Sequence, residues 1–207
     1  MLKIVIIIVI CLVVIAGAAG GFHLYRVSSR NTKEMSEYSS RNETVNKNFG
    51  KVLVVYYSLS GNTRDIAQRI QARTGSDIYE IKTTPEITAG PLLYVTSKRD
   101  LESGTYPELQ GEIPDMEKYD IIFVGSPIWW YTAATPVLAF LSKADFKGKK
   151  VVPFSTQGSN AGTFLEDFKR MAKNANVMSY QSFNNMGKEY DEAVDNKISV
   201  WLNELGK

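Results

Sequence analysis

Most of the sequence alternates short, continuous apolar runs with segments in which apolar residues recur every three or four positions. Continuous apolar runs of strand length are typical of parallel strands that are covered by helices on both faces. The three clearest runs lie at residues 52–57, 121–125 and 151–155. A mixed run at residues 77–81 fits a strand nearer an edge, and residues 177–180 complete a set of five. The alternation therefore predicts an α/β fold with a parallel sheet between two layers of helices.

Helical periodicity accounts for most of the segments between these strands. One interior proline is a misfit, because Pro153 removes a ladder hydrogen bond from a predicted strand, and we expect a bulge or an unpaired position there. The less regular region at residues 82–118 contains four of the seven prolines and must cover one flank of the sheet. The predicted helices lie at residues 62–74, 93–102, 135–141, 164–172 and 194–205.

The N-terminus contains a second distinctive segment. Residues 4–20 are almost entirely apolar, with Lys3 before them and His23, Arg26 and Arg30 after them. An apolar run of about 17–19 residues lies at the lower limit for crossing a bilayer. Residues 1–25 are therefore predicted to be a transmembrane or signal-anchor segment, and a signal peptide that is cleaved on export is the alternative. A retained single-pass anchor is preferred, and its orientation stays open because basic residues lie on both sides.

The next segment, residues 26–49, is rich in Ser, Asn, Glu, Lys and Arg and has few apolar residues. This composition predicts a flexible polar linker. The folded domain is then expected to occupy residues 50–207. A domain on such a linker would move freely near its membrane.

Charge and residue counts exclude several classes of function. Residues 1–49 contain six Lys or Arg and three Asp or Glu, which leaves 18 basic and 19 acidic residues in the rest of the chain. A nearly neutral domain lacks the concentrated basic face that nucleic acid binding requires. The chain has one cysteine, Cys11, and one histidine, His23. These counts argue against an intrachain disulfide, a zinc site and a histidine-based triad.

Three polar or aromatic loops follow the three clearest strands. Ligands of open α/β sheets bind beyond the carboxyl ends of the strands, so these loops are expected to converge. Residues 58–63 (SLSGNT) offer hydroxyls and backbone N–H groups to an anion at a helix N-terminus, although an ordinary helix cap is the alternative. Residues 126–131 (SPIWWY) offer aromatic faces unless they belong to the core, and residues 156–162 (TQGSNAG) offer polar groups. A flat, conjugated, phosphorylated ligand would satisfy all three loops.

In these loops the sequence resembles the flavodoxin-like family over about residues 51–205. The matching elements are Ser-Leu-Ser-Gly-Asn-Thr after the first strand, Gly-Ser-Pro-Ile-Trp-Trp at the end of the next, and Phe-Ser-Thr-Gln-Gly-Ser after the third. The resemblance implies a three-layer, doubly wound, five-stranded parallel sheet of order 2-1-3-4-5, with FMN as the cofactor at the switch point.

The resemblance also implies which residues bind FMN. The loop at residues 58–63 would hold the phosphate, Trp129 would stack on or flank the flavin ring with its neighbours beside it, and the third loop would border the polar edge of the ring. The implied cofactor-binding residues are Ser58, Ser60, Gly61, Asn62, Thr63, Pro127, Ile128, Trp129, Trp130, Tyr131, Thr156, Gln157, Gly158 and Ser159.

The function that the resemblance implies is electron transfer by an FMN protein tethered to a membrane. Its partner would be a redox protein or a small-molecule acceptor. The alternative is an FMN-dependent NAD(P)H oxidoreductase acting on quinones or similar acceptors, for which residues 82–118, with Tyr94 and Tyr106, would build a lid or substrate wall. A flavin-free interaction module is a third possibility. No residue of the loops resembles a general base or nucleophile, so we predict no catalytic residue and no metal ligand, and whether the chain is an enzyme stays open.

Overall fold

A computed structural model describes residues 2–184 and 187–206 of the chain. Strands and helices alternate, as the sequence predicts, and the helices lie on both faces of one sheet. The strands are β1 (Val52–Tyr56), β2 (Asp77–Glu80), β3 (Thr83–Thr84), β4 (Glu108–Leu109), β5 (Ile121–Trp129), β6 (Thr132–Ala133), β7 (Lys150–Gln157), β8 (Asn176–Val177) and β9 (Gln181–Asn184). The helices are α1 (Leu2–Ser39), α2 (Asn62–Thr74), α3 (Pro91–Ser103), α4 (Thr135–Lys143), α5 (Phe164–Met171) and α6 (Asp191–Glu204).

The main sheet has the order β2-β1-β5-β7-β8, and β9 continues the position of β8 beside β7. These five positions pair in parallel, so the flavodoxin-like order 2-1-3-4-5 and the α/β class are confirmed. The short strand β6 is antiparallel and folds back on the end of β5. Strands β3 and β4 form a separate antiparallel pair beside the sheet.

Pro153 coincides with an interruption of the fifth strand. Strand β7 pairs with β8 at Val151↔Val177 and with β9 from Phe154↔Gln181 onward, so the ladder skips Pro153. The carbonyl of Val151 accepts from the N–H of Met178 (2.8 Å), and backbone groups two residues apart on a strand face the same neighbour. The position at which Pro153 lacks an N–H therefore faces the gap between β8 and β9. The fifth strand, predicted at residues 177–180, is accordingly split into two pieces that flank most of that range.

The sheet separates two buried cores. On one face, side chains of β1, β5 and β7 pack against α4 and α5, with Phe140, Phe146 and Phe164 fully buried. On the other face, the sheet packs against α2 and α6. Trp201 of α6 lies at the centre of this second core, with its ring 5.6 Å from the ring of Phe123 and edge to face with it. Burial on both faces explains why the strand sequences are apolar without alternation.

The N-terminal helix α1 is 38 residues long. Its apolar side chains from Ile4 to Ile15 are exposed. Among the described residues, α1 is the one helix long and apolar enough to cross a membrane, by length and composition; a signal sequence near the N-terminus would meet the same criterion.

The second half of α1 differs from the flexible linker expected over residues 26–49. Met35 is fully buried in the core beside Trp201, and Glu34 forms an ion pair with the buried Lys197. After α1, residues 40–49 continue along α6, where Asn203 donates to the carbonyl of Thr44 (2.9 Å). The expected linker was based on average composition, whereas in the structure helix α1 continues to Ser39. A few correctly spaced side chains are enough to attach one helix face.

Candidate functional site

The first loop leads directly from β1 to the N-terminus of α2. Gly61 occupies the N-cap position with φ 96°, a left-handed conformation that glycine adopts without strain. Its N–H donates to the hydroxyl of Ser58 (3.1 Å), which closes a turn before the helix begins. Among the described residues, no side chain caps α2. The structure therefore does not support the ordinary-cap interpretation of this loop, and the first turn of α2 presents its N–H groups at the carboxyl edge of the sheet.

A buried hydrogen bond joins the first loop to the third. The hydroxyls of Thr63 and Thr156 lie 2.8 Å apart, and both residues are buried. Arg64, the next residue of α2, forms an ion pair with Glu80 of β2 (2.6 Å) and is directed along the sheet edge. Thr63 is thus the residue of the first loop that fixes its position relative to the third.

The second loop is a tight hairpin that the sequence analysis did not predict. Trp129 pairs with Thr132, so Trp130 and Tyr131 form the turn between β5 and β6. Both turn residues have positive φ, 52° and 65°. A two-residue hairpin turn favours this conformation, but Asn and Gly normally supply it. Without those residues, the sequence carried no recognisable turn signal.

The two adjacent tryptophans have different surroundings. The ring of Trp129 is half-buried and perpendicular to the ring of Tyr57, at 5.7 Å. The ring of Trp130 lies 4.1 Å from that of Tyr94, and its Nε1 donates to the hydroxyl of Ser97 (3.1 Å). Burial and the nearby carboxylate of Glu86 raise the pKa of Tyr57 to about 12, so its hydroxyl stays neutral. The side chain of Trp130 therefore packs against α3, whereas Trp129 packs on Tyr57 at the end of the central strand.

The second and third loops border one cavity of about 480 Å³ at the carboxyl edge. Helix α3 and the residue before it form its other wall. The hydroxyl of Ser155 donates to Oε1 of Gln157 (2.7 Å) and fixes the orientation of that side chain. The lining residues are Gly90, Leu93, Tyr94, Ser97, Ile128, Trp129, Trp130, Tyr131, Gln157, Gly158, Ser159 and Asn160.

The fourteen residues singled out from the sequence fall into two neighbouring groups. Seven of them line the cavity: Ile128, Trp129, Trp130, Tyr131, Gln157, Gly158 and Ser159. The first loop forms the other group, and the contact between Thr63 and Thr156 joins it to the third loop. Its predicted residues are Ser58, Ser60, Gly61, Asn62 and Thr63. Pro127 pairs with Thr156 within the sheet. Tyr94 is the one residue of the α3 wall that was predicted from the sequence, because the residues of this wall share no motif.

The third loop is fixed to the hairpin by its backbone. The N–H of Thr163 donates to the carbonyl of Tyr131 (2.7 Å). Gly162 has φ +55°, and a Cβ at this position would lie 2.2 Å from the same carbonyl oxygen. Both the conformation and the close approach require glycine here.

The substitution Gly162→Ala is expected to destabilise the protein. The left-handed conformation alone costs a non-glycine residue about 1–2 kcal/mol, and the collision with Tyr131 adds to that cost. The free energy of unfolding in denaturant, measured on the full chain in detergent, gives the effect. Gly158→Ala is the matched control, because a Cβ at Gly158 meets nothing within 4 Å. Equal losses for the two variants would contradict the contact between Gly162 and the hairpin.

An open, parallel α/β sheet of this strand order, with a helix N-terminus and an aromatic cavity side by side at its carboxyl edge, defines the class of flavodoxin-like proteins. A sequence profile described as flavodoxin (Flavodoxin_4) matches residues 51–204. The chain belongs to this flavodoxin family.

Solved structures agree with this assignment. A flavoprotein from Lactobacillus acidophilus NCFM, solved in complex with FMN, is 26% identical, with a TM-score of 0.58 over 64% of this chain and 92% of that one. A flavoprotein candidate from Bacteroides eggerthii DSM 20697 is 26% identical, with a TM-score of 0.62 over 76% of this chain and 98% of that one. A similar protein from Bacteroides uniformis ATCC 8492 has 26% identity and a TM-score of 0.61, over 76% of this chain and 100% of that one. A search of curated proteins found no significant match.

Proposed function

We propose that this chain is an FMN-binding electron-transfer protein that α1 attaches to a membrane. The observation that carries the proposal is the position of the uncapped first turn of α2 beside the aromatic cavity, at the switch point of the sheet. The first turn of α2 can bind a phosphate group, and the aromatic cavity can bind a flat ring. The similar protein from Lactobacillus acidophilus, which contains FMN, supports the same cofactor.

The first loop fits a phosphate group. Its residues provide hydroxyls, an amide and backbone N–H groups at the positive end of a helix dipole. Gly61 adds no side chain, and a Cβ there would meet nothing within 4 Å, so the loop is open to a ligand. The residues assigned to the phosphate are Ser58, Ser60, Gly61, Asn62 and Thr63.

The cavity fits the ring. Trp129 provides the aromatic wall on the side of the central strand, and Trp130 and Tyr131 continue it toward α3. Because Oε1 of Gln157 already accepts from Ser155, the amide nitrogen is the group that donates to a carbonyl of the ring. The residues assigned to the ring are Pro127, Ile128, Trp129, Trp130, Tyr131, Thr156, Gln157, Gly158 and Ser159.

FMN supplies the redox chemistry when it is bound, and the protein supplies binding, orientation and electrostatics. The aromatic wall excludes water from one side of the ring. Full reduction would add negative charge to a ligand that already carries a phosphate. Poor solvation disfavours this added charge, as desolvation disfavours the charged form of a buried side chain. The site therefore disfavours full reduction and suits transfer of single electrons.

One observation favours the alternative oxidoreductase. Leu93, Tyr94 and Ser97 of α3 form a wall of the cavity. A second substrate could bind between this wall and the flavin ring. The full chain in detergent, loaded with FMN, is the test. A carrier oxidises NADH or NADPH no faster than free FMN does. A saturable, faster oxidation would identify the oxidoreductase, and a protein that takes up no FMN would identify an interaction module.

Trp129→Ala is expected to weaken FMN binding by about 1–3 kcal/mol, on the scale of stacking between aromatic side chains and bases. It should also increase flavin emission, because the indole that quenches it is removed. Fluorescence titration of the variant and of the unmodified chain with FMN measures both effects. Trp130→Ala is the comparison variant and should weaken FMN binding less, since the ring of Trp130 also packs on Tyr94. A larger change for Trp130→Ala than for Trp129→Ala would reverse the assignment.

The membrane attachment rests on the contrast between the two halves of α1. Side chains from Ile4 to Ile15 are exposed and apolar, whereas Met35 is buried in the domain. We assign residues 1–25 to a single-pass anchor and residues 50–207 to the flavodoxin-like domain. Extraction of cell membranes with alkaline carbonate should leave the chain in the membrane. Release of a chain shortened by a signal peptide would support the export alternative.

A further inference from the structure

The contacts of α1 define its direction along the domain. Arg30 donates to the backbone carbonyl of Ser159 in the third loop. One turn later, Glu34 accepts from Asn184, at the carboxyl end of β9 (3.3 Å). The carbonyl of Tyr38 then accepts from Asn196 of α6 (3.1 Å). The helix therefore runs antiparallel to the strands, and its N-terminal half leaves the domain at the carboxyl edge, where the cavity opens.

This attachment is built into the domain. The side chain of Lys197 is 2% exposed and contacts both Glu34 and the carbonyl of Ser182 (2.6 Å). Met35 is fully buried beside it. A helix held by a buried ion pair and a core side chain does not swivel about its contact face. The direction in which α1 leaves the domain is thus fixed.

The cavity edge lies close to the end of the apolar segment. Phe22, the last apolar residue before His23, precedes Arg30 by eight positions, which corresponds to about 12 Å of helix. The polar headgroup region of each leaflet is about 5–8 Å thick. If α1 crosses the bilayer, its contact with the third loop therefore lies only about 4–7 Å beyond the headgroup region.

Large apolar side chains are exposed at this same edge. Leu92 is 78%, Tyr94 67%, Val95 65% and Tyr131 61% exposed. We call these four residues the α3 patch, although Tyr131 belongs to the hairpin. Tyr94 and Tyr131 border the cavity that Ser159 also borders, so the patch and the attachment of α1 lie at one opening.

We infer that the α3 patch docks on the surface of the bilayer that holds α1. Tyrosine and leucine side chains are typical of membrane interfaces. Attachment through α1 holds the α3 patch near the bilayer at a high effective concentration. The bilayer is the occupant because the direction of α1 places it there. Electron partners then reach the cavity from the plane of the membrane. The inference rests on the proposed anchoring of α1.

The test uses the full chain with Cys11→Ser and a single new cysteine, Val95→Cys, labelled with a dye that emits beyond the flavin band. The protein is placed in phosphatidylcholine–phosphatidylglycerol vesicles that contain a nitroxide-headgroup lipid. Lys173→Cys is the matched control, because this exposed residue precedes β8 at the opposite edge of the sheet. Docking predicts several-fold stronger quenching at position 95 than at position 173, and Leu92→Glu should reduce it.

The outcomes separate docking from the proposed function. Flotation with the vesicles tests the anchor, and retained yellow colour tests the flavin. Equal, weak quenching at both positions in a floating, yellow protein would overturn docking alone. Quenching at position 95 that depends on protein density but not on the nitroxide lipid would assign the patch to a second copy of the chain and would also overturn it.

Discussion

Replacing Thr63 by alanine is expected to lower the affinity for FMN about tenfold or more, since a hydrogen bond to a charged group is worth about 1.5–3 kcal/mol. Thr63 is buried at the first turn of α2, and its hydroxyl is the link to Thr156. Riboflavin has the same ring and lacks the phosphate. Its affinity should therefore change little, and parallel titrations of the two ligands measure the difference.

Two further variants separate the phosphate from the link between the loops. Thr63→Ser keeps a hydroxyl in place and should retain most of the affinity for FMN. Thr156→Val removes the other half of the 2.8 Å contact and leaves the hydroxyl of Thr63 intact. If Thr63→Ala weakened both ligands equally, the hydroxyl would act on the fold and the assignment of residues 58–63 to the phosphate would be wrong.

Glu34→Ala is expected to lower the free energy of unfolding by about 3 kcal/mol, because it leaves the ammonium of Lys197 buried without its carboxylate. The double variant Glu34→Ala with Lys197→Met should recover most of that loss, since an apolar side chain of similar size fits the same place. Denaturant unfolding of the full chain in detergent measures both. A single variant as stable as the unmodified chain would show that the second half of α1 is not attached in solution.

The same lysine predicts a pH dependence. Burial lowers the pKa of Lys197 from its ordinary value of 10.5, although the hydrogen bond with Glu34 opposes the shift. The unfolded chain then binds this proton more tightly than the folded one, so the free energy of unfolding contributed by Lys197 rises with pH up to about 10.5. Without Glu34 the rise should begin at a lower pH. The Lys197→Met variant should lose this contribution.

The parts of the fold that followed from sequence are those in which local pattern and burial agree. The runs at residues 52–57 and 121–125 are apolar because both faces of those strands are covered, and no local signal opposes them. The three loops could be placed at one site because each follows the carboxyl end of a strand. Those strands are neighbours in the sheet, so their carboxyl ends lie together.

The parts that did not follow depend on contacts between distant segments. In the second half of α1, a helical stripe is buried or partly buried while the residues around it are exposed. The stripe consists of Val27, Asn31, Glu34, Met35 and Tyr38. Only two of these five are aliphatic, and Glu34 is held by partners on β9 and α6, so composition suggested disorder. The Trp130-Tyr131 turn is likewise imposed by the backbone bond from Thr163, more than 30 positions away in the chain.

The most direct test of the central claim is a titration of the ligand-free full chain with FMN, followed by tryptophan emission and by the flavin absorption band. The account predicts saturation at one FMN per chain, with quenched tryptophan emission because Trp129 lies against the ring. Riboflavin should bind by the same spectral change but more weakly, because the first turn of α2 then has no phosphate to bind. A chain whose spectra do not change with FMN, or that binds riboflavin as tightly as FMN, would contradict it.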